Sequence, residues 1–202
     1  MIYLNKRKWM DFNMCTTLRR INGLTPEEIL NTYGDKSRNS YPIDISKILY
    51  EMEIRVHPFD FSALNKREGK KILGALVADN ENLALLYEAT ESINRNRFTL
   101  AHELAHCCLM HLDDEKIPYI EYRCEGEVAD KKEIDANIFA GKILIPEKEL
   151  CGVLISKFPD EIPNAKDLAQ LFVVSVNVMK ERLKWLNIPF IDEYGRKIFC
   201  ME

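Results

Sequence analysis

Arg97-Phe98-Thr99-Leu100-Ala101-His102-Glu103-Leu104-Ala105-His106 places two histidines four residues apart, with a glutamate directly after the first. On a helix, positions i and i+4 lie one turn apart on the same face, so both imidazoles can reach one point in space. Glu103 projects beside that point, where a carboxylate can take a proton from a bound water. The surroundings support a helix. No proline or glycine occurs from Asn94 through Leu112, and Phe98, Ala101, Ala105, Cys108, Leu109 and Leu112 recur at a spacing that buries one stripe. Ser92 or Asn94, in the polar run before it, offers an N-cap.

Two imidazoles and a water leave room for one more protein ligand, because hydrolytic zinc sites usually take three side chains and keep one position open. A third histidine ten residues after the first is absent, since Leu112 stands there. His111 sits at i+9, which on a continuous helix points to a different side from His102, so a surface or helix-end role is expected for it. The better source is the run from Asp130 to Pro146, which reads as a second helix ending near its proline. Glu133, Asn137, Ala140 and Leu144 share one of its faces, with Ile134, Ile138 and Phe139 supplying apolar contacts beside it. Ala136, Ala140 and Gly141 permit close approach of a neighbouring helix. A buried carboxylate needs a partner such as a metal, which favours Glu133 as third ligand over its rival Asp135, about 200° around the helix. Asn137 is placed to steady one histidine through its other ring nitrogen.

Length and composition describe an ordinary globular chain: 202 residues, 47% apolar, 30% charged, net charge −4. That charge gives no general attraction to nucleic acid. No stretch approaches the roughly 18 apolar residues that span a bilayer, and Lys6-Arg7-Lys8 lacks a following apolar region, so a cytoplasmic protein without membrane contact is expected. Six cysteines without CxxC spacing suit a reducing compartment. Cys107 and Cys108 read as packing groups on the histidine helix.

Three regions are expected: an N-terminal helical extension over 1–40, a core over 41–148 and a C-terminal helical module over 149–202. Thr25-Pro26 is a helix start. Residues 34–42 read as linker, and a helix over 43–52 turns Ile45, Ile48 and Leu49 inward. Residues 54–60 read as a strand ended by Pro58, with His57 structural or on the surface. Gly74 to Tyr87 reads as two strands joined by a polar turn at 79–82, the second either lining a cleft as the sheet edge or lying inside the sheet. The segment from Asp113 to Asp130 reads as a long loop, with Tyr119 and Tyr122 as packing groups rather than oxyanion donors. Residues 167–186 are laid out like a helix-turn-helix, with Ser175 capping the second helix and Val173 where such turns favour glycine. Lys180, Arg182 and Lys184 are its phosphate-facing candidates, opposed by Glu181. Packing or partner docking is the expected role, rather than direct nucleic-acid binding.

Taken together, Arg97–His106, the run Glu133-x-x-Ala136-Asn137-x-Phe139-Ala140-x-x-Ile143-Leu144-Ile145-Pro146, Tyr41-Pro42-Ile43-Asp44-Ile45 and the strand pair resemble the ImmA/IrrE family of bacterial metallopeptidases. The resemblance covers roughly residues 41–186, with Ala105 where members often have glycine. It implies an α+β, zincin-like metallopeptidase core with a small β-sheet and an HExxH helix, followed by the helical C-terminal module. It also implies His102, His106 and Glu133 as ligands of one zinc ion per chain and Glu103 as general base. Manganese or iron would fit similar ligands. Members are typically encoded by mobile elements or serve stress responses, and several act on a helix-turn-helix repressor. The expected function is therefore a zinc endopeptidase acting on a specific protein partner, a repressor or antitoxin. The alternative is a non-proteolytic toxin or regulator of a toxin–antitoxin-like pair.

Overall fold

The computed structural model describes residues 16–35, 41–69, 71–78, 83–111 and 131–199, together with the backbone of 119–124. The helix carrying the histidines lies at its centre. The first helices are α1 (Thr16–Ile21), α2 (Pro26–Tyr33), α3 (Ile45–Glu51) and α4 (Ser62–Glu68), and α5 (Ile93–Cys108) carries the histidines. Ser92 is its N-cap, its hydroxyl accepting from the Arg95 amide. From Thr99 to Cys108 every residue of α5 is buried, because other elements cover the helix on more than one flank and enclose even the polar Thr99, His102, Glu103 and His106. The helix ends where Met110 turns left-handed at φ 55°. The His111 amide then donates to the His106 carbonyl at 3.1 Å, closing the last turn as a Schellman motif with methionine where glycine is usual.

One flank of α5 packs on a four-stranded sheet of β1 (Arg55–Phe59), β2 (Ile72–Ala78), β3 (Leu83–Glu88) and β4 (Tyr119–Cys124), in the order β1-β3-β2-β4. β1 runs parallel to β3, while β2 is antiparallel to both β3 and β4. β3 is therefore internal, which excludes the sheet-edge placement considered for it: β1 inserts against its outer side. The edges are β1 and β4. Pro58 continues within β1 rather than ending it, as an edge strand permits. β4 lies inside the segment expected to be loop. The remainder of that segment, the polar turn at 79–82 and the side chains of Tyr119, Tyr122 and Cys124 lie outside the described residues, as do 1–15 and most of the linker.

β2 is buried along nearly all its length because both faces are covered, one by α5 and the other by Phe61 and Leu64 at and within α4. Gly74 is a point of close approach between β2 and α5. A Cβ there would stand 2.5 Å from Thr99 Cγ2 and 3.0 Å from the Leu86 carbonyl oxygen. Glycine makes that approach possible.

The other flank of α5 packs against α6 (Lys131–Leu144), which stops before Pro146 and is followed by α7 (Glu147–Lys157), α8 (Ala165–Phe172) and α9 (Val176–Trp185). A short β5–β6 pair (Phe190–Ile191, Lys197–Ile198) follows. Ala136, Ala140 and Gly141 are buried, as close approach of α6 to α5 requires, whereas Ile134 is exposed rather than packed beside Glu133. One buried cluster includes Leu18 and Ile29 from the N-terminal helices, Ile48, Leu104, Ala140, Leu168 and Phe190, so one core draws on described elements from all three regions. Arg97 bonds α5 to the turn after α8: its Nε donates to the Val173 carbonyl at 3.0 Å, and Asn94 Nδ2 to that of Val174 at 3.1 Å.

Candidate metal centre

Two facing helices bring three donor side chains to one point. His102 Nε2 and His106 Nε2, one turn apart on α5, are 2.9 Å from each other. Glu133, in the first turn of α6, spans both, with Oε2 3.2 Å from His102 Nε2 and Oε1 3.1 Å from His106 Nε2. The histidines are buried while Glu133 is half-buried, so the cluster sits at the bottom of the α5–α6 seam and opens past the carboxylate. Asp135 is not in the group.

The donor chemistry fits a divalent cation. Nitrogen and oxygen ligands at about 2.0–2.2 Å from a tetrahedral zinc stand about 3.3–3.6 Å apart. The three observed separations fall a few tenths of an ångström inside that range. His102 Nδ1 lies 2.9 Å from Asn137 Oδ1, and the amide oxygen can only accept, so the ring proton is on Nδ1 and the Nε2 lone pair faces the cluster. A bare imidazole nitrogen, a second imidazole nitrogen and a carboxylate this close repel one another unless a cation, proton or metal, stands between them. Where protons rather than a metal occupy the Nε2 atoms, hydrogen bonds from His102 first, and then from His106, hold the Glu133 carboxyl far below the usual carboxylate range against the opposing effect of its burial. Asn137 thus stands where a histidine-steadying group was expected.

His111 lies just past the end of α5 and outside the donor group, the helix-end position expected for it. From there its ring meets His106 edge-on, with Nδ1 3.1 Å from His106 Nδ1, a contact the spacing did not announce. Burial, and then its neighbours His106 and Lys132, lower its pKa. Nine residues of unbroken helix after His102 would turn His111 away from the face that His102 and His106 share. The left-handed turn at Met110 brings His111 back over the last turn, and a methionine carries no sequence signal for that.

Glu103 is buried against β2, with Oε1 3.8 Å from where a Cβ on Gly74 would lie. Cys107 and Cys108 are buried, and burial pushes the Cys108 thiol up to about 12, far from a thiolate ligand. His57 is exposed on β1. The basic side chains of α9 are engaged within the chain. Arg182 is buried with Nε donating to the Ile145 carbonyl at 3.0 Å, Lys180 pairs with Glu193 at 3.0 Å and Lys184 with Glu181 at 2.7 Å.

Compared with known families, residues 60–184, more than half of the chain, match the peptidase family described as the IrrE N-terminal-like domain. The match contains α5, α6 and all three clustered donors. No curated protein matches the chain.

Proposed function

The chain belongs to the IrrE N-terminal-like peptidase family, and on that footing we propose that it is a zinc-dependent endopeptidase that cuts one specific protein partner, a helix-turn-helix repressor or antitoxin, and so regulates gene expression. The observation that carries the reading is the convergence of His102, His106 and Glu133 within 4.8 Å of one another, with Glu103 buried on the same helix. His102, His106 and Glu133 would hold the metal. When bound, a divalent cation supplies Lewis acidity, polarising the scissile carbonyl and acidifying a water.

The remaining steps belong to the chain. Glu103 accepts the proton that the attacking water gives up as its oxygen bonds to the carbonyl carbon, and returns it to the amine as the C–N bond breaks. Asn137 holds the His102 ring with its Nε2 lone pair toward the cluster. The partner is proposed to be a protein on the strength of the family resemblance. The engagement of Lys180, Arg182 and Lys184 by acceptors of their own chain supports packing or partner docking by α8 and α9, rather than phosphate contact.

Co-expression with the protein encoded by the adjacent gene tests the reading. Fragments of that protein are expected with the wild type and not with Glu103→Gln. Cleavage retained by Glu103→Gln overturns the assignment of the base, and no cleavage by either removes the proposed substrate.

A further inference from the structure

We propose that His111 is a positioning residue for the metal centre: its Nδ1 accepts a hydrogen bond from His106 Nδ1–H, which leaves the His106 Nε2 lone pair facing the cluster. The inference rests on the metal-centre reading above and extends it to a residue outside the HExxH segment. The two Nδ1 atoms are 3.1 Å apart, so one carries the proton and the other accepts it. The opposite nitrogen of His106 is 2.9 Å from His102 Nε2 and 3.1 Å from Glu133 Oε1. A neutral His106 that binds a cation through Nε2 must carry its proton on Nδ1, so His111 is the acceptor.

His111 then does for His106 what Asn137 does for His102. Each imidazole of the pair has a partner on its far nitrogen, one supplied by α6 and the other by the chain leaving α5. The placement of His111 is built in twice over. Its amide donates to the His106 carbonyl at 3.1 Å, and Lys132 Nζ donates to the His111 carbonyl at 3.0 Å. Lys132 is the residue before Glu133, so the same contact ties the end of the histidine helix to the start of the helix bearing the third donor.

The test is zinc affinity of the purified full chain, measured by competition with a chromophoric chelator. His111→Phe keeps a ring of similar size without an acceptor, and His111→Asn returns an oxygen near the Nδ1 position. The expected result is a loss of about 10–100-fold for His111→Phe and recovery to within about threefold of wild type for His111→Asn. With cobalt in place of zinc, the visible ligand-field spectrum is expected to change in the phenylalanine variant and revert in the asparagine variant. His111→Ala carries the same expectation as His111→Phe, so the test stands if phenylalanine prevents folding. Wild-type affinity in both His111→Phe and His111→Ala overturns the proposal, as does an asparagine variant as weak as they are. Failure of the metal-centre reading looks different: zinc would not bind the wild type, or would bind equally after His102→Ala.

Discussion

Asn137 Oδ1 on α6 lies 2.9 Å from His102 Nδ1 on α5, so the same helix that brings Glu133 to the cluster also sets the ring orientation of one of its histidines. Replacing Asn137 with leucine removes the acceptor at nearly constant size. Zinc affinity is expected to fall about 10–100-fold, as for other partners of metal-bound imidazoles. Asn137→Asp keeps an acceptor oxygen and is expected to bind zinc more tightly than the leucine variant. Chelator competition on the three proteins checks the order.

Glu133 gives the metal-free protein an acid-sensitive element. Its folded pKa lies below its usual 4.5 because His102 and His106 donate to it. Such a group adds stability that is present above the usual value and is lost as pH falls through the depressed one. Metal-free wild type should therefore exceed Glu133→Gln in denaturation midpoint in mildly acidic solution, where the imidazoles can donate and the carboxylate is still charged, and the gap should close progressively below about pH 4.5 as the carboxyl takes up its proton. Zinc affinity should fall over the acid range as well, since protons compete for the same imidazole and carboxylate atoms. A gap that widens below about pH 4.5 contradicts the assignment.

Gly74 sets how closely β2 and α5 can pack. In Gly74→Ala the new methyl would meet Thr99 Cγ2 at 2.5 Å, a β-branched side chain buried without room to move. Overpacking of this kind costs about 1–3 kcal/mol, and here it displaces the helix segment carrying His102 and Glu103. Thr99→Ser removes the opposing carbon and keeps the hydroxyl, so the double variant should regain part of the stability lost. Denaturant melts of the single and double variants measure the coupling directly.

Val173 holds a left-handed conformation at φ 51°, ψ 56°, which a β-branched residue adopts at a cost. Relief of about 1–2 kcal/mol of steric strain, set against about 0.5–1 kcal/mol for the added freedom of glycine, predicts that Val173→Gly is neutral to stabilising by about 1 kcal/mol. Arg97→Met should act in the opposite direction. It removes the donors that reach the Phe172 and Val173 carbonyls, leaving partly buried acceptors unpaired at about 1–3 kcal/mol. Thermal unfolding distinguishes the two signs.

The histidine helix was legible because an unbroken run with two histidines in register leaves little choice of structure, and Glu133 was legible because Ala136, Ala140 and Gly141 mark the side of α6 that approaches it. The strand pair of residues 74–87 could be read from local pattern too. What could not be read depends on distant partners. β1 joins β3 across α4 and β2, and β4 finds β2 from within a polar, aromatic segment. Nothing local announces either pairing. The contact of His111 with His106 was illegible for a smaller reason: a single left-handed methionine reverses the chain at the helix end, and methionine does so rarely enough that periodicity extrapolates straight past it.

Zinc stoichiometry in purified protein decides whether the three clustered donors form one metal site beside a separate base. The expected values are one zinc per chain in the wild type, one in Glu103→Gln and none retained through dialysis in Glu133→Ala or in His102→Ala. A wild type that holds no zinc, or a Glu133→Ala protein that still holds one, would contradict the account.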